Sequence, residues 1–405
     1  MTAGPGAGAT RLSARHRVMI SCGEASGDLY AGALVDALHE IDPGVEVFGF
    51  GGERLRAAGA DLIGDYRGFS VTGLSEALPV LSRSWKMLNA LREAARTRQP
   101  DVFVAVDFPD FNFRLLPSMR ALGVKVVYYV SPQLWAWRPA RLETIRRYVD
   151  RMLVIFPFEK ELYERAGVPV EFVGHPLVDL ARARQPREAF LRANALDPAR
   201  PVLALLPGSR PSELRHVLPT LAAAAPLIGR GVPAVQFLVA RAPALDDALF
   251  APLDTVRAAG LPLAIVTDAT DEVLASADAV VTASGTATVQ AALHGTPMVI
   301  VYRLSAFTYA VGRRFVRVTS YGMVNLVAGR PIVPELIQDE FTPDAVAREA
   351  VSLLTDRARA DAMRRDLAAV RTTLGSSGAS RRAAEGVGGF FHRSGPLRDG
   401  GPEGK

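Results

Sequence analysis

HRVMISCGEASGDLYAGALVDALHEI, residues 16–41, decides the fold. An apolar run of strand character, HRVMI, enters a short turn with two glycines, and the helix-like run LYAGALVDALHEI follows. A strand that passes through such a turn into a helix is the repeating unit of a parallel α/β sheet. Glycine-rich turns of this kind usually cradle phosphate at the helix N-terminus. This one carries two carboxylates, Glu24 and Asp28, and no Lys.

The same alternation continues outward. Apolar runs with strand character occur at 17–21, 46–51, 101–107, 125–130 and 151–156, with helix-like segments between them. A second series begins at PVLALLPG (201–208) and continues at 234–240, 261–267, 277–285 and 297–303. Between the two series lies an Arg-, Ala- and Pro-rich stretch, 179–201. The expected fold is α/β, with two Rossmann-like domains facing each other across a cleft and their strand C-termini pointing inward. The expected divisions are a flexible tail over 1–16, a first unit over 17–180 and a second over 181–345. Helices over 346–385 then cross back to the first unit, and a Gly-rich disordered tail spans 386–405.

At 405 residues, with 49% hydrophobic and 22% charged, the chain is long and apolar enough for two cores. Cys22 is the only cysteine, which excludes an intrachain disulfide and suits a reducing compartment. The N-terminal stretch lacks the apolar centre of a signal peptide, and no apolar run reaches the ~18 residues of a membrane span. The expected location is the cytosol. The net charge is +5 and the basic residues are mostly Arg. That reads either as codon bias or as a surface for phosphates and anionic lipid. There is no dense basic run and no zinc-finger spacing, so nucleic acid is not expected as a partner. The scattered His residues give no metal-ligand spacing, and no cofactor is expected.

In the second half, PGSRPSEL (207–214) follows a strand. Gly208 allows close backbone approach, Ser209 and the first-turn N–H groups can donate to phosphate, and Arg210 can bind a diphosphate bidentately. Ser212 and Glu213 either join that site or simply cap the helix. SGTATVQAALHGTP (284–297) is a second junction of the same kind, with Gly285, Thr286 and Thr288 at its rim and Gln290 one turn in. Two such turns in one domain point to a nucleotide diphosphate. In the first half, Asp107 ends an apolar strand, and Asp110 and Asn112 follow in the turn. An acid there either deprotonates a hydroxyl or caps the next helix. Trp135 and Trp137 lie in a proline-flanked loop that suits an acyl or sugar pocket, a membrane interface or plain structure. The 77–98 segment is amphipathic, with Val80, Leu81, Trp85 and Leu88 on its apolar stripe and Arg83 and Lys86 among its cations. Such a helix either lies on a membrane surface or packs on the sheet.

These stretches, taken in order, resemble the lipid-A-disaccharide synthases, bacterial glycosyltransferases of the two-Rossmann-domain (GT-B) type. The resemblance rests on GEASGD (23–28), DFPDFNF (107–113), YVSPQLWAWR (129–138), 156–179, LLPGSRPSEL (205–214), SGTATVQAAL (284–293) and 325–343. It implies transfer of a 2,3-diacylglucosamine from UDP to 2,3-diacylglucosamine 1-phosphate, giving a β-1,6-linked disaccharide and UDP. It assigns acceptor and membrane contacts to the first unit and the UDP donor to the second. It also implies an enzyme peripheral to the cytoplasmic face of the inner membrane, and it allows a homodimer. By the resemblance, Glu24 and Ser26 are site positions and Asn325 belongs to the UDP site. Asp107 is the base of an inverting, metal-independent displacement, with Asp110 second. Gly23 and Gly27 are expected to let backbone approach the sugar, and Asp28 to cap its own helix. Gln290 departs from the pattern: related enzymes carry Glu there for ribose, and an amide lacks that charge. Two other functions fit the second-half motifs. One is another UDP-sugar enzyme, such as a soluble-sugar transferase or an epimerase, and the other is a non-catalytic nucleotide-sugar-binding protein.

Overall fold

Short, fully apolar segments form the middle of each sheet because a parallel strand covered on both faces has no side turned to water. A computed structural model describes residues 15–69, 77–132, 141–243, 245–303 and 320–391. The first sheet holds β1 (Arg17–Cys22), β2 (Glu46–Gly51), β3 (Asp61–Asp65), β4 (Val102–Val106), β5 (Lys125–Tyr129), β6 (Arg151–Val154) and β7 (Val170–Phe172). Its order is β3-β2-β1-β4-β5-β6-β7, and every pairing is parallel. The second holds β8 (Val202–Leu206), β9 (Gln236–Arg241), β10 (Leu263–Thr267), β11 (Ala279–Ala283), β12 (Met298–Tyr302) and β13 (Glu335–Ile337). Its order is β10-β9-β8-β11-β12-β13, again all parallel.

Strand order reverses at β1/β4 in the first sheet and at β8/β11 in the second. In open parallel sheets a ligand crevice forms beyond the strand C-termini at such a reversal, because the flanking connections leave in opposite directions. The turns after β1 and β4 carry GEASGD and Asp107, and the turns after β8 and β11 carry GSRPSE and SGTAT. All four sequence motifs therefore lie at the two switch points.

The helices Pro343–Thr355 and Arg357–Thr373 stay on the second half, packed against Pro211–Gly231 and Thr286–His294 respectively. Only Ala379–Gly388 returns, and it lies along Ala25–Ile41 of the first half. The chain thus passes between the halves twice, and the two passages are bonded together. His175 N donates to Leu374 O at 2.9 Å. The Asp179 carboxylate accepts from Gly378 N and Ala379 N at 2.8 and 3.2 Å, and Arg382 Nε donates to Val173 O at 2.8 Å.

The inner ends of both expected tails, His16 and residues 386–391, lie in packed structure. His16 is held by Asp42 at 2.8 Å and stacks on Phe391 with ring centroids 4.5 Å apart. Phe391 is buried, and the Arg151 guanidinium lies over Phe390. The glycines around 386–389 masked a pair of aromatic anchors in the expected disordered stretch.

Candidate active site

Asp107 and Phe108 follow β4 with φ values of 44° and 49°. Two consecutive non-glycine residues in the left-handed region store strain that surrounding contacts must hold. Three groups hold this turn. Asp107 N donates to Tyr129 O at 3.0 Å, while Tyr128 Oη and Asn112 Nδ2 donate to Asp107 O at 2.7 and 2.8 Å. The Phe108 ring fills the space over Gly23, where any Cβ would lie 2.2 Å from it. Gly23 therefore serves the Asp107 turn rather than approach to a sugar. Gly27 is buried against Cys22 and Val106.

Asp107 itself is partly buried at the cleft. Burial is the main cause that pushes its carboxyl up to about 7, and the nearby Glu24 charge adds to this; the Phe108 amide and Arg210 pull the other way. A carboxylate with that value is half-deprotonated near neutrality, which suits a general base. Asp110 is different. It is 73% exposed and ion-paired with Arg141. Asn112, expected at the sugar, is fully buried and clasps the two switch-point strands together. Its Oδ1 accepts from Ser21 Oγ at 2.7 Å, and its Nδ2 donates to Ser21 O and Asp107 O.

Asp28 does not cap its own helix. It lies in the first turn of Ala25–Ile41 and accepts from Gly52 N, Arg54 N and Leu55 N at 2.7, 3.0 and 3.1 Å. It thereby satisfies the open N–H groups of the next helix, Glu53–Ala57. Glu24 is the N-cap residue of Ala25–Ile41 and directs its carboxylate across the cleft. Its Oε2 lies 2.7 Å from Arg210 Nη2. Ser26 sits beside it in the first turn, partly exposed.

On the second half, Gly208 has φ 122° and packs under Glu213, whose carboxylate would lie 2.4 Å from any Cβ there. Glu213 Oε2 accepts from Ser209 N at 2.8 Å and Arg210 N at 3.3 Å. Glu213 thus reaches back to cap the start of helix Pro211–Gly231 and takes backbone donors that the sequence assigns to a diphosphate. Ser209, Arg210 and Ser212 remain exposed on the cleft side of that cap. Desolvation in the cleft pulls the Arg210 guanidinium down, but the charges of Glu24 and Glu213, both of which it contacts, raise it above its usual value.

Helix Thr286–His294 begins at Gly285, which is exposed with φ 148°. Thr286 lies close to the Tyr30 hydroxyl of the first half. Thr288 is buried, its hydroxyl committed to Gly285 O at 2.8 Å, so it does not form part of the rim. Gln290 Nε2 donates to Asp271 at 3.2 Å. Asn325, expected at UDP, is buried and saturated: it donates to Val333 O and Glu335 and accepts from Ile332 N and Val333 N. It fixes the turn before β13. A further cross-cleft pair, Arg54–Asp268 at 3.8 Å, went unread in the sequence. So did Tyr30, which looks like any apolar helix residue.

Leu88 is buried in the first core, so it cannot touch lipid; Trp85 on the same helix is 52% exposed. The side chains of Val80 and Leu81, and all of Trp135 and Trp137, lie outside the described residues. Among the described residues no helix is long and apolar enough to cross a membrane.

A sequence profile of the lipid-A-disaccharide synthetases matches residues 18–385. The lipid-A-disaccharide synthase of Geobacter sulfurreducens is 44% identical over 369 residues, 91% of this chain and 96% of the relative. The chain belongs to the lipid-A-disaccharide synthase family. Like the family, it is a glycosyltransferase that takes a UDP-sugar donor and a sugar-phosphate acceptor. Its reaction joins UDP-2,3-diacylglucosamine to 2,3-diacylglucosamine 1-phosphate by inverting displacement and releases UDP. The synthase shares its fold with more distant proteins. The UDP-GlcNAc 2-epimerase of Neisseria meningitidis, solved with UDP-GlcNAc, superposes with a TM-score of 0.66 at 10% identity, covering 91% of this chain and 99% of its own. The calicheamicin glycosyltransferase gives 0.57 at 18% identity over 95% of this chain and 100% of its own. Both sheets of the synthase thus conform to the GT-B arrangement expected from its two strand series.

Proposed function

We propose that Asp107 is the general base that takes the proton of the acceptor 6-hydroxyl, and that Arg210 neutralises the departing diphosphate. The observation that carries this is the Arg210–Glu24 contact, which joins the switch point of one sheet to that of the other. Arg210 is poised between the halves, where a donor's diphosphate meets an acceptor's hydroxyl. Diphosphate oxygens compete with Glu24 for the guanidinium fork. Once Arg210 turns to the diphosphate, the released Glu24 can accept hydrogen bonds from sugar hydroxyls beside Ser26. Ser209, Ser212 and the start of helix Pro211–Gly231 add donors and positive dipole on the leaving-group side. UDP leaves as an anion, so no general acid is required.

The experiment incubates purified protein with both acylated substrates and identifies products by mass spectrometry, beside Asp107→Ala. A disaccharide monophosphate plus UDP from the wild type alone supports the assignment. Equal product from Asp107→Ala removes Asp107 from the chemistry. A de-acylated donor accepted as readily as the natural one would point to a soluble-sugar enzyme.

Exposed Trp85, with Arg83 and Lys86 beside it, supports docking of this helix on the inner face of the inner membrane. An amphipathic ring among cations suits an anionic interface. Trp85→Ala is expected to reduce co-sedimentation with vesicles containing phosphatidylglycerol, and unchanged sedimentation would exclude this helix as the anchor.

A further inference from the structure

Gln290 is the site residue whose role the cleft geometry leaves open, and its surroundings supply an answer. Its Nε2 donates to Asp271 Oδ1 at 3.2 Å, and His294 Nε2 meets the same oxygen at 2.9 Å. Asp271 opens helix Thr270–Ser276, just beyond the C-terminal end of β10. The turn that carries it borders the cleft, because Asp268 three residues earlier reaches Arg54 of the first half. Gln290 lies one turn along the helix whose first residue, Thr286, comes close to Tyr30 of the first half across the same cleft. The Asp271 and His294 side chains are only 21% and 11% exposed, so bulk water screens this network weakly.

We propose that Asp271 and Gln290 act as one acceptor unit for the vicinal diol of the donor's ribose. Asp271 carries the charge. By holding Nε2, it fixes the Gln290 amide with Oε1 turned away toward a ligand. His294 backs the carboxylate on its other flank. A diol is well matched by two acceptors side by side, one of them charged. The same geometry explains why residue 290 is an amide in this chain. A Glu there would place a second carboxylate beside Asp271, and two like charges at that separation repel. The charge has moved from position 290 to position 271. Asp271 is a specificity-determining residue here, and the inference rests on the donor-site reading above.

The test measures UDP and 2′,3′-dideoxy-UDP binding to the full chain by calorimetry. The proteins compared are wild type, Asp271→Asn, Gln290→Glu and the combined swap. Wild type is expected to prefer UDP, and each single change to weaken UDP by about tenfold, the worth of one charge-assisted hydrogen bond. Dideoxy-UDP affinity should stay nearly constant. The double swap, with one acid and one amide exchanged, should recover most of the preference for UDP. Equal losses for both ligands, or no loss for either, would assign the network to helix packing and overturn the proposal. A wild type that binds no UDP overturns the donor-site reading itself, and this inference with it. Melting temperatures separate misfolding from lost contacts. If Asp271→Asn does not fold, Gln290→Glu alone carries the ligand comparison.

Discussion

Asp107→Asn is expected to lower kcat by about 10²- to 10⁴-fold, the range for loss of a positioned general base. The amide keeps the shape of the side chain, so the strained turn persists, with its bond to Tyr129 O and those from Tyr128 and Asn112. Substrate KM should therefore change little, and the loss should fall on turnover. The wild-type pH profile provides an independent check. A base must be deprotonated to act, and burial pushes this carboxyl up to about 7. The rate should thus climb about tenfold per pH unit below neutrality and level off above it, as for a single titrating base. Glu24→Gln removes a neighbouring negative charge and should shift that acid limb to lower pH. A limb near pH 4 in the wild type would mean that the cleft does not raise this carboxyl, whereas a limb unchanged by Asp107→Asn would mean that another group supplies the base.

Arg210→Ala is expected to cost about 10²- to 10³-fold in kcat, comparable with the loss of one preorganised donor at a site of growing negative charge. Arg210→Lys should restore only part of this, because an ammonium cannot bind two diphosphate oxygens in a planar fork. Arg210 also opposes the upward push on Asp107. Its removal should therefore move the acid limb to higher pH, opposite in sign to Glu24→Gln. A raised donor KM with unchanged kcat would mean that Arg210 binds ground state and transition state alike. These two variants couple residues from opposite sheets through one titration, which a role in local packing does not predict.

The sequence exposed the parts of this molecule that depend on local pattern. The central strands are continuous apolar runs, and all of them are legible as such. The strands that pattern misses, β3, β7 and β13, lie at sheet edges. β3 carries Asp at both ends and a Gly, and the other two are three residues long. They are strands because a neighbour pairs with them, not because of their own composition. The site follows the same division. Its motifs are legible because glycine turns at strand ends have a sequence signature. Which of their polar residues are free to meet a ligand is not legible. Asn112 is consumed by Ser21, Asp28 by the backbone at 52–55, and Asn325 by the approach to β13. Each partner is remote in sequence or belongs to backbone, and neither leaves a mark on residue type. Glu213 is the exception: its helix-capping role is one of the two readings its sequence allows, and its carboxylate does accept from the backbone of Ser209 and Arg210.

The return of Ala379–Gly388 to the helix Ala25–Ile41 has a consequence for how the chain is made. Synthesis runs from the N-terminus, and domains generally fold as they emerge. The first sheet can assemble early, but one flank of its first helix waits for a partner encoded almost a whole chain later. Buried there at the end are Ala31, Leu34 and Leu38 on one side and Ala383, Ala384 and Val387 on the other. Until that partner arrives, the nascent first half shows an apolar flank to its surroundings. Completion of the N-terminal half therefore comes only after the second sheet has been made, and a chain cut off between that sheet and Ala379 would hold two formed sheets with an unsealed first layer.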